Sequence, residues 1–137
     1  MGPQVHLKLT RIWAMEEGFS EREAELIAHA DSGFDRRYPA RASFVNITRH
    51  FAPTAWIWSL RYLGLAARWG DLMMLGYSLH CAQDGVAHGR IGTRHLVQAT
   101  GLRPNPDVWE TSPAGVKRRT EAVTRERLRR FRKLRAV

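Results

Sequence analysis

The sequence at residues 80–88 is HCAQDGVAH, and its polar residues recur at a helical interval. Residues four apart lie on one face of an α-helix, so His80, Asp84 and His88 are expected to share a stripe. Upstream, the stripe continues with apolar or small residues: Leu72, Leu75, Gly76 and Leu79. Because such a stripe faces a core, its polar groups need partners inside. Two imidazoles and a carboxylate favour a zinc-like metal ion; the alternative is a solvated polar face.

The length and the cysteine content indicate the class of protein. With 137 residues, the chain is expected to form a single domain over residues 1–137. No apolar run reaches the roughly 18 to 20 residues of a membrane span. The start, MGPQVH, lacks a basic segment leading into an apolar one, so no secretory signal is expected. The single cysteine, Cys81, cannot form an internal disulfide, which favours a cytoplasmic protein.

The positive charge is concentrated at one end of the sequence. From Lys117 to Val137 there are ten Lys or Arg and two Glu, which gives +8 of the total +9. This segment predicts a basic helix over residues 115–137, with Leu128, Phe131 and Leu134 facing a core. Such a helix could contact a polyanion such as nucleic acid or an anionic membrane surface, or it could be a solvated closing helix.

The rest of the sequence shows helical periodicity with helix start and stop signals, and no sustained strand alternation. Ser20 and Glu23 have the spacing of a capping box, and Pro53 suits the first turn of a helix. The predicted helices are residues 7–15, 20–33, 53–69, 71–88 and 114–134, with a loop over 34–46 and an irregular connection over 89–113. The fold class is therefore predicted to be all-α, a bundle of about five helices.

The remaining metal-binding side chains lie near the ends of these helices. His6 precedes the first helix, Asp35 follows the second, His50 precedes the third, and His95 follows the fourth. A two-metal site needs a bridging carboxylate, and Asp84, flanked by histidines one turn away, suits that role. Each of the other histidines has an alternative, because a lone histidine is more often a surface or hydrogen-bonded residue than a metal ligand.

Several of these segments resemble a known family. The segment Gly76-Tyr77-x-Leu79-His80-x3-Asp84-x3-His88, together with Phe19-Ser20, residues 24–28, Asp35 and His50-Phe51, resembles the zinc-dependent phospholipase C family. That family's relatives include the single-strand-specific nucleases of similar fold. The resemblance spans residues 6 to 110 and implies a phospholipase C-like helical fold. It also implies three groups of ligands for one to three Zn²⁺ or other divalent transition-metal ions: Asp35, His50, His80 and Asp84; Asp84, His88 and His95; and His6 with the N-terminal amine and carbonyl.

The resemblance implies a phosphoester hydrolase that uses a metal-activated water. Asp35, where it is not a ligand, could orient or deprotonate that water as a catalytic residue. The expected substrate is a phosphate-containing small molecule or lipid, and Arg36, Arg37 or Arg94 could steady its phosphate.

Two departures from the family pattern keep other functions open. The family's final H-x3-E is absent, since Ala99 stands four residues after His95, and its N-terminal Trp is absent as well. A non-catalytic metal-binding domain is therefore one alternative, and a basic nucleic-acid or membrane-surface binding protein is another. The sequence has no adjacent His-Asp pair and no Glu-x2-His, which excludes the His-Asp phosphohydrolases and the helical di-iron proteins.

Overall fold

The computed structural model describes residues 1–90, 101 and 105–137. The described residues are all-helical, which confirms the predicted fold class, and an isolated parallel bridge joins Ala52 and Arg90. The helices are α1 Thr10–Glu16, α2 Glu21–Arg37, α3 Phe44–His50, α4 Thr54–Trp69, α5 Leu72–His88 and α6 Ala114–Arg135. A π-helical turn, Gln4–Leu9, leads into α1, and a 3₁₀ turn, Ala40–Ala42, precedes α3.

The central helix is α5, which packs against α2, α4 and α6. Asp71 caps its first turn by accepting hydrogen bonds from the backbone N–H groups of Met73 and Met74. Every residue from 75 to 88 is buried, because neighbouring helices cover α5 on several sides rather than along one stripe. His80, Asp84 and His88 are therefore inside the protein, as their spacing predicts.

Helix α2 begins with the predicted capping box. The Ser20 hydroxyl accepts from the Glu23 N–H at 3.3 Å, and the Glu23 carboxylate accepts from the Ser20 N–H at 2.8 Å. The predicted end near Gly33 is wrong, because the helix continues to Arg37. Phe34 is fully buried against the aromatic rings of Tyr38, Tyr62 and Tyr77, and this packing stabilises the last turn.

The predicted loop over residues 34–46 is also only partly correct. It contains the end of α2, the 3₁₀ turn and the start of α3, where the Ser43 hydroxyl accepts from the Asn46 N–H at 3.1 Å. The guanidinium of Arg49 lies over the rings of Tyr38 and Trp58, at 4.4 and 4.2 Å from their centroids. These cation–π contacts stabilise a short helix that ends at His50.

Helix α6 closes the bundle at the predicted position. Its buried face packs against α1, α4 and α5 and contains Val116, Thr120, Thr124, Leu128 and Phe131. On the other side, Arg125 and Arg129 form ion pairs with Glu17 at 3.0 and 2.7 Å, so the residue that follows α1 neutralises part of the basic surface. Among the described residues, no helix combines the length and the apolar character that a membrane crossing requires.

Candidate metal centre

Six of the predicted metal-binding residues converge at one place, which we call the candidate metal centre. The π-helical turn contributes His6, α2 contributes Asp35 and α3 contributes His50. Helix α5 contributes the remaining three, His80, Asp84 and His88. Four separate segments of the chain therefore meet here. His95 lies outside the described residues.

The inner group consists of Asp35, His50, His80 and Asp84. One donor atom from each lies within 4.8 Å of those of the others. His80 Nε2 is 3.1 Å from Asp84 Oδ2 and 3.2 Å from Asp35 Oδ1, and His50 Nδ1 is 2.8 Å from Asp84 Oδ2. Two imidazole nitrogens and two carboxylates could supply the four ligands of a tetrahedral zinc site.

The hydrogen bonds to backbone oxygens show which nitrogen of His50 and of His80 carries a proton. His80 Nδ1 is 2.9 Å from the backbone oxygen of Asp31, and His50 Nε2 is 2.9 Å from that of Tyr38. A carbonyl oxygen can only accept, so both of these nitrogens carry protons. The opposite nitrogens then face carboxylate oxygens, and a cation or a second proton must lie between them. Histidines that bind metals typically donate their other N–H to a carbonyl in this way.

His80 Nε2 provides an independent sign of a cation position. The atom is buried and has no hydrogen-bond partner, although two carboxylate oxygens lie within 3.2 Å. The distances are suitable, but the angles are not those of a hydrogen bond. Because an unsatisfied buried polar atom is costly, this arrangement fits an ion between the donors better than direct bonds among them.

Asp84 connects the inner group to a second set of polar atoms. Its Oδ2 faces His50 and His80, whereas its Oδ1 is 2.9 Å from the α-ammonium of Met1, 3.4 Å from His88 Nε2 and 3.5 Å from His6 Nε2. The two oxygens of one carboxylate thus face two cation positions, the geometry that a bridging ligand requires.

Asp107 adjoins the second position and was not anticipated. Its Oδ1 is 3.2 Å from the Met1 ammonium and 3.3 Å from His88 Nε2. It lies in the segment expected to be irregular, where no spacing rule applies. The only available signal was its chemistry, a carboxylate beside Pro106.

Electrostatics keeps Asp84 ionised and favours the protonated form of His80. Burial raises the pKa of Asp84, but the Met1 ammonium and the imidazoles of His80 and His88 hold it well below its usual range. Burial lowers the pKa of His80, yet the negative charge of Asp84 and the nearby carboxylates of Asp31 and Asp35 raise it well above its ordinary value. In the metal-free protein, a proton on His80 therefore screens the carboxylates, and a metal ion would displace it.

Asp31 contacts two of the site histidines, His6 and His80. It is fully buried, accepts from the Thr10 hydroxyl at 2.8 Å and lies 2.8 Å from His6 Nδ1. Its backbone oxygen is the acceptor for His80. The sequence gives one signal for this role, since Asp31 precedes Asp35 by one helical turn on α2.

The centre opens into a cavity of about 840 Å³. Asp35, His50, Asp84 and His88 line one part of it, and Arg41 with several apolar residues lines the rest: Pro3, Ala40, Ile47 and Phe51. Of the arginines expected to steady a phosphate, Arg36 and Arg37 do not line this cavity, and Arg94 lies outside the described residues. Arg41, from the 3₁₀ turn, has that position instead.

A backbone contact joins the segments that follow two of the site histidines. The Ala52 N–H donates to the Gly89 oxygen at 2.8 Å, two residues after His50 and one after His88. Gly89 has φ 61° and ψ −140°, a conformation essentially confined to glycine.

Comparisons with known proteins gave no match. No family model matches the sequence, and no curated protein and no solved structure matches it.

Proposed function

We propose that this protein is a metal-dependent phosphoester hydrolase of phospholipase C-like type, with zinc or a similar ion held by Asp35, His50, His80 and Asp84. One observation carries the proposal. Two imidazoles backed by carbonyl groups converge with two carboxylates, and three of these four residues, Asp35, His50 and Asp84, line an open cavity. Carbonyl-backed imidazoles are the arrangement expected of metal ligands, and the cavity gives a substrate access to them.

The chain's own residues have distinct tasks in this proposal. A bound zinc-like ion supplies a Lewis acid and lowers the pKa of a bound water toward about 7. His50 and His80 would hold the ion through the nitrogens that face Asp84, and Asp84 would contribute its carboxylate. Burial raises the pKa of Asp35, but the adjacent His80 imidazole keeps it lowered overall. Asp35 is thus an ionised carboxylate at the cavity, able to accept a proton from water.

The lining of the cavity suggests the kind of substrate. Arg41 is a guanidinium donor at the wall, suited to a phosphate oxygen. Ile47 from α3 and Phe51, the residue that follows α3, both line the cavity and are apolar. The proposed substrate is a phosphoester that carries an apolar group, as a small molecule or a lipid.

The test combines metal analysis with turnover. Purified, unchelated protein should contain at least one transition-metal ion per chain, and it should hydrolyse bis(p-nitrophenyl) phosphate or p-nitrophenyl phosphate. His80→Ala and Asp84→Asn should abolish activity. His29→Ala is the matched control, because His29 is exposed and does not line the cavity. Arg41→Met should mainly raise KM, whereas Arg36→Met should leave it unchanged.

Two results would reject the proposal in different ways. Folded protein that takes up no stoichiometric metal would remove the metal centre altogether. Folded, fully metallated protein that turns over neither ester would leave a metal-binding protein without hydrolase activity.

A further inference from the structure

A buried hydrogen-bond network joins helix α6 to His6 at the candidate metal centre. Its members come from five segments of the chain, and each side chain is at most 2 % exposed: His6, Thr10, Asp31, Gln83 and Thr124. Gln83 is the hub. Its Nε2 is 2.9 Å from the Thr10 hydroxyl and 3.1 Å from the Thr124 hydroxyl, and its Oε1 is 2.7 Å from His6 Nδ1.

The two threonines determine which way the Gln83 amide points. The Thr10 hydroxyl donates its single proton to Asp31 Oδ2 at 2.8 Å, and the Thr124 hydroxyl donates its own to the Thr120 backbone oxygen at 2.8 Å. Neither hydroxyl has a second proton, so each can only accept from Gln83. The Gln83 NH₂ group must therefore face the threonines, and its oxygen must face His6.

This orientation determines the protonation of the His6 ring. His6 Nδ1 faces the Gln83 oxygen at 2.7 Å and Asp31 Oδ1 at 2.8 Å, and both of these oxygens are acceptors. Nδ1 consequently carries the proton, and in the neutral ring Nε2 is left with its lone pair. Nε2 is buried without a hydrogen-bond partner and lies 3.5 Å from Asp84 Oδ1.

We propose that Gln83 is a positioning residue that holds His6 as the Nδ1-protonated tautomer, with Nε2 directed at the second cation position, and that Thr124 anchors Gln83. The protein thereby makes α6 part of the support of the centre, although α6 contributes no metal-facing side chain. The consequence for metal binding rests on the proposed function, whereas the tautomer and its dependence on Gln83 do not.

Two threonines on α6 provide a matched pair of variants. Thr120 and Thr124 are both fully buried and lie one helical turn apart. The Thr124 hydroxyl accepts from Gln83, whereas the Thr120 hydroxyl has no partner among the described residues. Threonine and valine have nearly the same shape, so Thr124→Val removes the anchor and Thr120→Val removes only an unpaired hydroxyl. Gln83→Leu removes the hub.

The first measurement is the tautomer of His6 in metal-free, ¹⁵N-histidine-labelled protein, by long-range ¹H–¹⁵N correlation NMR at an alkaline pH at which the ring is neutral, since the pKa of His6 is raised. Wild type and Thr120→Val should show Nδ1-protonated His6. The fraction of that form should fall in Thr124→Val and further in Gln83→Leu. Nε2-protonated His6 in the wild type, or identical tautomers in the two threonine variants, would overturn the proposal.

The second measurement is a Co²⁺ titration followed by visible absorption. Loss of a residue that orients a metal-binding histidine typically weakens binding by about 10- to 100-fold. We expect that range for Gln83→Leu, a smaller loss for Thr124→Val and none for Thr120→Val. Equal Co²⁺ affinity in all four proteins would reject the positioning role. Wild type that binds no Co²⁺ but keeps the expected tautomers would reject the proposed function alone.

Discussion

Replacing Gly76 by alanine should separate α2 from α5 and disturb the candidate metal centre at a distance. A Cβ atom at Gly76 would lie 2.5 Å from the Ile27 backbone oxygen, 2.6 Å from the Ala30 Cβ and 2.9 Å from the Asp31 nitrogen. Ordinary contact begins at 3.4 Å, so the shortest of these is 0.9 Å too close (3.4 minus 2.5). Two of the three atoms are backbone, so α2 itself must move.

The size of the effect follows from two opposing contributions. Overpacking a buried contact costs about 1–3 kcal/mol, whereas alanine favours the helix over glycine by about 1 kcal/mol. We expect a net loss of up to roughly 2 kcal/mol in the free energy of unfolding. Because α2 also carries Asp31 and Asp35, a shift near 1 Å should lower any hydrolase activity by about 100-fold.

Urea denaturation of the metal-free protein measures the stability, and the ester assay measures the activity. The control is Gly64→Ala on α4, where a Cβ meets nothing within 4 Å, and this variant should be stabilised by up to about 1 kcal/mol. A Gly76→Ala protein as stable and active as the Gly64→Ala protein would refute close packing of α2 on α5 at this point.

Three further outcomes are expected. Chelation should lower the melting temperature of the wild type, and it should do so less in Asp84→Asn, because a metal that bridges helices contributes to folding; identical melting with and without chelator would contradict this. The pKa of His80 is raised well above its usual value, so its contribution to metal-free stability is present below about pH 6.5 and is lost as pH rises through the raised pKa. Metal binding near pH 7 should correspondingly release protons, which calorimetry in buffers of different ionisation enthalpy will detect. On α6, reversal of Arg118, Lys133 and Arg135 to Glu should weaken heparin retention and its salt dependence while metal content is unchanged; unaltered retention would leave α6 as a closing helix only.

Local signals account for the parts of the fold that were predicted correctly. The Ser20–Glu23 box and the spacing along α5 depend on residues within a few positions of one another, so they can be recognised in the sequence. Helix α3 could not be recognised in the sequence, because its seven residues are too few to show periodicity. Its stability depends on Arg49 packing over rings from α4 and from the residue after α2, contacts between positions distant in sequence.

The residues of the candidate site were likewise predictable only where the signal is local in sequence. Helix α5 alone places His80, Asp84 and His88 together, so their spacing was informative. Gln83 and Asp107 became recognisable only from their partners in space. Gln83 in particular reads as an ordinary polar residue, and its orienting role appears only once two threonines from other helices define its hydrogen bonds.

The contact between Ala52 and Gly89 places a strict conformational requirement on a residue that has no side chain. The link uses only backbone atoms, so the side chain at position 52 can vary without loss of the hydrogen bond. Position 89 has no such freedom, because its φ of 61° with ψ of −140° excludes side chains. Among functional variants selected from a library randomised at both positions, residue 52 should therefore diversify while glycine persists at 89.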